Sequence, residues 1–335
     1  MKKYFVLILI ISSLLFSCKP KHACKYDHIN GYTQGTTYSM TYENCTDNDY
    51  HGAIDSILRD FDMSLSQYVP NSIISRINSN DTTVRIDEHF RTVFLKSKEI
   101  WEQSGGLMDI TVGPIINAIG FGAKKQTDID SSKIKDLLRL VGLEKVKLVG
   151  NRILKADTAM KLDVNSIAQG YSVDVVSEFL EKKGVVNYMV EIGGEVRARG
   201  KNPKQELWRI GIDQPKELSS DQDEALQVIL GLKDKCISTA GNYRKFHVEN
   251  GVKYTHIINP KTGLSAKSRL LSVSVVATDC ITSDGWDTAL MVMGLEKSIE
   301  FLKHHPELEA YLIYNDEKGN YQVYMTNGLK SMITK

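Results

Sequence analysis

Asp163-Val-Asn-Ser-Ile-Ala-Gln-Gly-Tyr-Ser-Val-Asp174 carries the reading from which the fold follows. A carboxylate precedes a helix start, and small residues sit where the chain must come close to something. Behind it Ile167, Tyr171, Val175 and Phe179 recur every four residues, with Val176 and Leu180 beside them. That spacing makes the apolar stripe of an amphipathic helix packed on a core. Asn165 or Ser166 can cap its first turn. The unpaired N–H groups and positive dipole end there suit a phosphate or an anion-bound metal, although an ordinary capped helix has the same pattern.

Working outward from this helix, strands follow in quick succession. Tyr188 to Ile192, Glu195 to Gly200 and Trp208 to Ile212 alternate as strands, the first two joined by Gly193-Gly194. Gln227 to Leu232, Lys235 to Thr239, Phe246 to Glu249, Thr255 to Ile258 and Leu271 to Ala277 continue the pattern. A last helix over about Ser283 to His305 precedes strands at Ala310 to Tyr314 and Tyr321 to Met325. Upstream, Ile29 to Tyr42 suits a strand, with Gly35 as a point of close approach. Helices are expected from Tyr50 to Phe61 and Phe90 to Ser104, and a loop with a short helix from Tyr68 to Asn78. Gly150-Asn151 between Val146–Val149 and Ile153–Lys155 is a hairpin signal. Adjacent strands with a few long helices argue an α+β fold with a largely antiparallel sheet, in a single domain.

The chain has 335 residues, 42% of them hydrophobic and 25% charged, with a net charge of +1. That balance is ordinary for a soluble globular protein, and without a basic run it offers no case for nucleic acid. Gly-x-Gly-x-x-Gly, P-loop and Gly-x-Ser-x-Gly patterns are absent, which argues against Rossmann, Walker-type and acyl-hydrolase sites. Lys2 and Lys3 followed by the apolar run Tyr4 to Phe16 form a targeting segment too short to span a bilayer. It ends in Leu15-Phe-Ser-Cys18, which resembles a lipobox and implies a bacterial lipoprotein cleaved before Cys18 and lipidated on it; a plain secretory signal is the alternative. The expected division is residues 1–17 as signal peptide, 18–30 as a polar tether and 31–335 as the folded domain. Cys24, Cys45, Cys236 and Cys280 remain, and their spacing fits no zinc site. Pairing as Cys24–Cys45 with Cys236–Cys280 and retention as reduced thiols are both open.

A second chemical segment is Thr282-Ser-Asp-Gly-Trp-Asp-Thr-Ala-Leu-Met-Val-Met-Gly294. With a helix starting near Ser283, Asp284 and Thr288 lie one turn apart on the same face. A carboxylate and a hydroxyl so placed make a half-shell of hard oxygens, which Mg²⁺ favours when phosphates complete it. The plainer alternative is that Asp284 caps the helix and Thr288 bonds back to a carbonyl. Asp287 is a competing ligand that points off this axis.

Gly35-Thr-Thr-Tyr38, Met63-Ser-Leu-Ser-Gln-Tyr68, Gly106-Leu-Met-Asp-Ile-Thr-Val-Gly-Pro114, Asp163 to Asp174, Gly193-Gly194, Ser238-Thr-Ala-Gly-Asn-Tyr243, His256-Ile-Ile-Asn-Pro260 and Asp284 to Thr288 occur in an order that resembles the ApbE family of FAD:protein FMN transferases. The resemblance runs from about residue 31 to the C-terminus. It implies a single flavin-transferase domain that moves FMN from FAD to a Ser or Thr hydroxyl and releases AMP. It assigns Mg²⁺ to Ser166, Asp284 and Thr288, and FAD contacts to Gln34, Tyr68, Leu107, Met108, Asp109, Asp163, Gln169 and Ile258. Asp163 is expected at a ribose or adenine donor, and Tyr68 offers a face for stacking. Asp109 could equally bracket the Thr111-Val112 segment. Gln169 stands where many relatives carry lysine, and Asn165 where glycine is common. His256, with an imidazole suited to proton transfer near neutrality, is the candidate general base. Ser238, Thr239 and Asn242, in an expected loop, could bind phosphate or ribose.

The implied partners are FAD and flavin-carrying subunits of membrane redox complexes, reached from a lipid anchor in the bacterial envelope, on the periplasmic side of the inner membrane. With water as acceptor the same site would make an FAD pyrophosphatase, and without chemistry an FAD-binding lipoprotein. A generic solute-binding lipoprotein would show two α/β lobes, which this strand-rich pattern lacks.

Overall fold

The computed structural model describes residues 24–120, 131–212, 228–242, 246–249, 252–255, 257–266 and 268–334. The chain opens with β1 (Lys25–Thr33) and β2 (Thr36–Asn44), then α1 (His51–Leu65), α2 (Ile73–Asn78), α3 (Glu88–Gln103), α4 (Gly113–Ala118) and α5 (Ser131–Leu137). The hairpin β3 (Val146–Val149) and β4 (Arg152–Lys155) precedes α6 (Ala168–Lys182). Next come β5 (Tyr188–Ile192), β6 (Glu195–Arg199), β7 (Trp208–Ile212), β8 (Val228–Leu232), β9 (Lys235–Gly241), β10 (Phe246–Glu249), β11 (Val252–Thr255) and β12 (Leu270–Ala277). The chain closes with α7 (Cys280–Met293), α8 (Leu295–His304), β13 (Glu309–Asn315), β14 (Tyr321–Met325) and α9 (Asn327–Met332).

Eight strands form one sheet in the order β1-β2-β5-β6-β9-β12-β13-β14, and every neighbouring pair is antiparallel. The expected α+β class with a largely antiparallel sheet is what the chain adopts. Strand alternation divides the core between the two faces. Along β12, Val273, Val275 and Ala277 join Ile100, Ile167, Ala289 and Leu290 under the helices. Val276 faces the other way, with Trp208, Leu230, Ile237, Tyr311 and Leu329. Tyr38, Met40 and Tyr42 on β2 meet Ile54 and Leu58 of α1 and Val173, Val176 and Leu180 of α6. The stripe read from the α6 sequence therefore seats that helix on the sheet.

Several expectations need correction. Residues 25–30 are not tether: β1 begins at Lys25, because this polar segment pairs in full register with β2, Lys25 opposite Asn44. Gly35 is not a close-approach point but the second residue of a two-residue turn, where Gln34 and Gly35 both take positive φ (51° and 75°) as a twisted hairpin requires. The single helix expected from Ser283 to His305 is two, broken at Gly294 with φ 85°. Its start lies at Cys280 because Asp279, not Asp284, accepts the Thr282 N–H. Neither Asn165 nor Ser166 caps α6, whose first turn has no side-chain cap of its own. Cys24 and Cys45 are bonded, whereas Cys236 and Cys280 are buried free thiols. The Gly150-Asn151 hairpin forms as read.

Candidate active site

Two helices meet here, and each completes the other's N-terminus. A helix leaves its first N–H groups without partners inside the helix. At α6 the Gly170 N–H is taken by Asp284 Oδ2 of α7 at 2.7 Å. In return Asp174 of α6 accepts the Cys280 N–H at 3.0 Å and the Ile281 N–H at 2.9 Å. These exchanges set an antiparallel register, Asp174 against Cys280 and Gly170 against Asp284. Ser166 lies in the turn just ahead of α6, and Thr288 lies one turn beyond Asp284 on α7. The contact is possible because residue 170 is glycine. A Cβ there would lie 2.4 Å from the Cys280 carbonyl oxygen and 2.6 Å from Asp284 Cβ.

The three acidic groups involved are all desolvated. Burial pushes Asp284 up to about 7, against the Gly170 N–H, which favours the charged form. Asp287 is raised well above the ordinary carboxylate value by burial, then by the charges of Asp284 and Glu195. Asp174 is pushed up to about 6 by burial, although the Cys280 and Ile281 N–H groups and Arg197 pull the other way. Arg197 donates to Asp174 at 2.7 Å and reaches Glu181 at 3.2 Å.

The expected flavin residues lie on the elements around this N-terminus. Gln34, on the β1–β2 turn, places Oε1 3.4 Å from the Ser172 hydroxyl, which donates to the Gln169 carbonyl at 2.6 Å. Gln34 Nε2 is buried and has no partner, a donor waiting for an acceptor. Gln169, the second residue of α6, lies against the Gly193 turn of β5 and β6. A Cβ at Gly193, itself at φ 64°, would sit 2.1 Å from Gln169 Nε2. Asp163 is buried beside the exposed ring of Tyr68 and accepts from the Asn165 N–H at 3.0 Å and from the Gln67 side chain. Its own N–H donates to the Ile110 carbonyl at 2.7 Å, which ties this corner to the 104–109 turn. There Ser104 Oγ accepts the N–H groups of Leu107 and Met108, at 3.1 and 3.3 Å. Leu107 is half-buried and Met108 fully buried.

Other expected residues have structural roles. Asp109 is saturated: Thr111 N–H and hydroxyl donate to Oδ1, Trp101 Nε1–H and Leu143 N–H to Oδ2. Its carboxylate is the bracket of the Thr111 segment and has nothing left for a flavin. Ile258 is buried among Val112, Ile115, Ile119 and Val141, beneath the turn rather than on it. Ser238 and Thr239 lie in strand β9 and not in a loop; Ser238 is bonded to Ser283 at 2.9 Å and Thr239 to Ser274 at 2.8 Å. Asn242 donates to the Leu270 carbonyl. His256 and Cys18 lie outside the described residues. Sequence reasoning missed the roles of Asp174 and Gln67. Asp174 carries no local signal, since the Cys280 and Ile281 N–H groups it accepts are more than a hundred residues away; Gln67 sits within a quoted motif and was legible as a polar neighbour of Tyr68.

A profile of the ApbE family matches residues 34–312. The chain belongs to the ApbE family. An FAD:protein FMN transferase of Haemophilus influenzae is 33% identical over 333 residues, covering 95% of each chain. One from Vibrio cholerae is 31% identical over 98% of this chain and 99% of its own. Among solved structures, the flavin transferase ApbE from Vibrio cholerae superposes with a TM-score of 0.83 at 30% identity, covering 92% of this chain and all of that one. The ApbE-family donor set present here fits a hard divalent cation: a carboxylate and a hydroxyl one turn apart on α7, the carboxylate held at the start of α6, with Ser166 in the turn just ahead of that helix.

Proposed function

We propose that this chain is an FAD:protein FMN transferase acting on a Ser or Thr hydroxyl of an envelope acceptor. The hydroxyl oxygen attacks the phosphorus on the FMN side of the FAD diphosphate, the bond to the AMP oxygen breaks, and AMP leaves. The observation that carries this reading is the Asp284 carboxylate fixed at 2.7 Å on the Gly170 N–H, one turn from Thr288, at a helix N-terminus. Mg²⁺ held there by Asp284, Thr288 and Ser166 would neutralise charge building on the diphosphate as a Lewis acid. The chain's own groups do the rest. The α6 N-terminus favours the anionic diphosphate. Gln34 supplies its unpartnered amide donor, and Gln169 a neutral amide where a cation would otherwise sit. Tyr68 and Leu107 offer aromatic and apolar surface to the ring system, with Met108 packed in the core beneath them, and Asp163 accepts from a ribose or adenine donor. His256 takes the proton of the acceptor hydroxyl.

The same reading places the chain in the bacterial envelope, lipidated on Cys18 and facing the periplasm from the inner membrane. The Cys24–Cys45 disulfide supports an oxidising compartment. Acceptors there would be flavin-carrying subunits of membrane redox complexes.

The test is to incubate the detergent-solubilised full chain with FAD, Mg²⁺ and a threonine-bearing acceptor domain that a known transferase modifies, and to weigh the intact acceptor. An FMN adduct that disappears with EDTA and with Asp284→Ala is expected. Unmodified acceptor with FMN and AMP accumulating would replace the reading by an FAD pyrophosphatase, and bound intact FAD by a non-catalytic flavin-binding lipoprotein.

A further inference from the structure

Cys236 and Cys280 are nucleophilic groups that the proposed chemistry leaves unused. Cys236 is the second residue of β9 and lies opposite Ala277 of β12, while Cys280 opens α7. The corner at Thr278-Asp279, between β12 and α7, therefore carries the second cysteine back over the first. Cys236 Sγ, Cys280 Sγ and one Asp174 carboxylate oxygen all lie within 4.8 Å of one another. Both side chains are fully buried. Their backbone contacts are weak, Cys280 with the Val196 carbonyl at 3.4 Å and Cys236 with the Thr278 carbonyl at 3.7 Å. Burial pushes both thiols up, and the hydrogen bond between them then lowers Cys236 and raises Cys280 further.

Asp174 is not free to complete a metal site with these sulfurs. Its Oδ1 takes the Cys280 N–H and Arg197, and its Oδ2 takes the Ile281 N–H. What remains is two sulfurs within reach of each other, in a chain whose Cys24 and Cys45 are already bonded. We propose that Cys236 and Cys280 are a dithiol that closes into a second disulfide by exchange with a disulfide-bearing oxidant, the arrangement described above being its reduced half. The Cys236 thiolate, the more easily formed of the two, attacks one sulfur of the external disulfide, whose S–S bond breaks and releases one thiolate. Cys280 then loses its proton and attacks the Cys236 sulfur, expelling the second thiolate. Two electrons pass to the oxidant, and the two protons given up end on the two thiols released. Burial makes the folded pair slow to react, so exchange belongs to folding or to an opening of the first turn of α7. The bond ties β9 to the start of α7 and closes the excursion that carries β10, β11 and β12. Neither the cation site nor the transfer reaction enters this chemistry.

The experiment unfolds the full chain in urea and refolds it in buffers of graded reduced and oxidised glutathione. Acid quenching, alkylation under denaturing conditions and peptide mass mapping then read the state of every cysteine. A Cys236–Cys280 linked peptide, two hydrogens lighter than the dithiol and free of glutathione, is expected to accumulate as the buffer becomes oxidising. In a Cys24→Ser, Cys45→Ser chain the oxidised form should show a urea midpoint higher than the reduced form by roughly 1 M. Alkylation of both Cys236 and Cys280 in the most oxidising buffer, glutathione retained on either, or linkage of either to Cys24 or Cys45 would overturn the proposal. So would oxidised and reduced midpoints that coincide. Should refolding fail, the same map of acid-trapped chain taken directly from bacterial envelopes decides between the linked peptide and two free thiols.

Discussion

Gly170→Ala tests the helix pairing on which the site depends. The added Cβ would lie 2.4 Å from the Cys280 carbonyl oxygen, against about 3.4 Å for an ordinary contact, so backbone must move by roughly 1 Å. The obstruction is the Cys280 carbonyl and the Asp284 Cβ, neither of which can rotate away. A shift of that size stretches the 2.7 Å Gly170 N–H to Asp284 bond beyond hydrogen-bonding range. Losing a hydrogen bond to a charged group costs about 1.5–3 kcal/mol and overpacking about 1–3, while alanine returns about 1 in helix propensity. The net expectation is about 2–4 kcal/mol of destabilisation, seen as a urea midpoint lowered by roughly 1 M. Gly52→Ala is the control: Gly52 is exposed in the first turn of α1 with open space at the Cβ position, and should gain up to about 1 kcal/mol. The Gly170 variant should also bind Mn²⁺ more weakly, since Asp284 loses the N–H that aims it. A Gly170→Ala midpoint indistinguishable from wild type, with the Gly52 control shifted as expected, would refute the close-packed crossing.

Two further expectations follow from buried charges. Asp174→Asn leaves Arg197 with only its Glu181 partner and weakens two N–H bonds at the start of α7, and should destabilise the chain by about 2–3 kcal/mol; an unaltered urea midpoint would show that the exchanged caps carry no weight. The Lys155 ammonium, bonded to the Ile77 and Met160 carbonyls, is held down to about 8 from an ordinary 10.5 by burial and then by Lys161. Its folded value is depressed, so its contribution is present above pH 10.5 and is lost as pH falls toward 8. Discounted for its partial exposure, wild type should gain about 1–2 kcal/mol relative to Lys155→Met between pH 8 and 10. Parallel pH profiles for the two proteins would contradict this.

Legibility in the sequence followed range. Where one stretch contains its own explanation, the expectation held. The Ile167, Tyr171, Val175, Phe179 stripe lies on α6, Gly150-Asn151 turns a hairpin, and Tyr188–Ile192, Trp208–Ile212 and Tyr321–Met325 are strands to the residue. Failures came where a local signal was weak or ambiguous. Lys25-Tyr-Asp-His lacks apolar alternation because β1 is an edge strand with little of its surface buried. Asp279 and Asp284 both look like caps five residues apart, and only packing shows that one caps its own helix and the other its neighbour. For the site, Asp163, Ser166 and Gln169 of the quoted motif lie at the start of α6, and Asp284 of the second motif is bonded there through the Gly170 N–H. What no motif could carry was the reciprocal bonding between α6 and α7, or the saturation of Asp109 by four donors, two of them on Trp101 and Leu143, well away from it in the chain.

The strand order has a consequence for how the chain is made. β1 and β2, with the Cys24–Cys45 crosslink, are complete once residue 45 is available. Their neighbour in the sheet is β5, so Tyr42 must wait for Tyr188 to be synthesised before it finds its partner. The first hairpin therefore emerges with one edge open and its inner face bare for nearly half the length of the chain. Long-range pairings of this kind slow folding and leave an unpaired edge exposed to other chains. A covalent clasp on that hairpin, formed early and locally, holds the template in register until the rest of the sheet arrives.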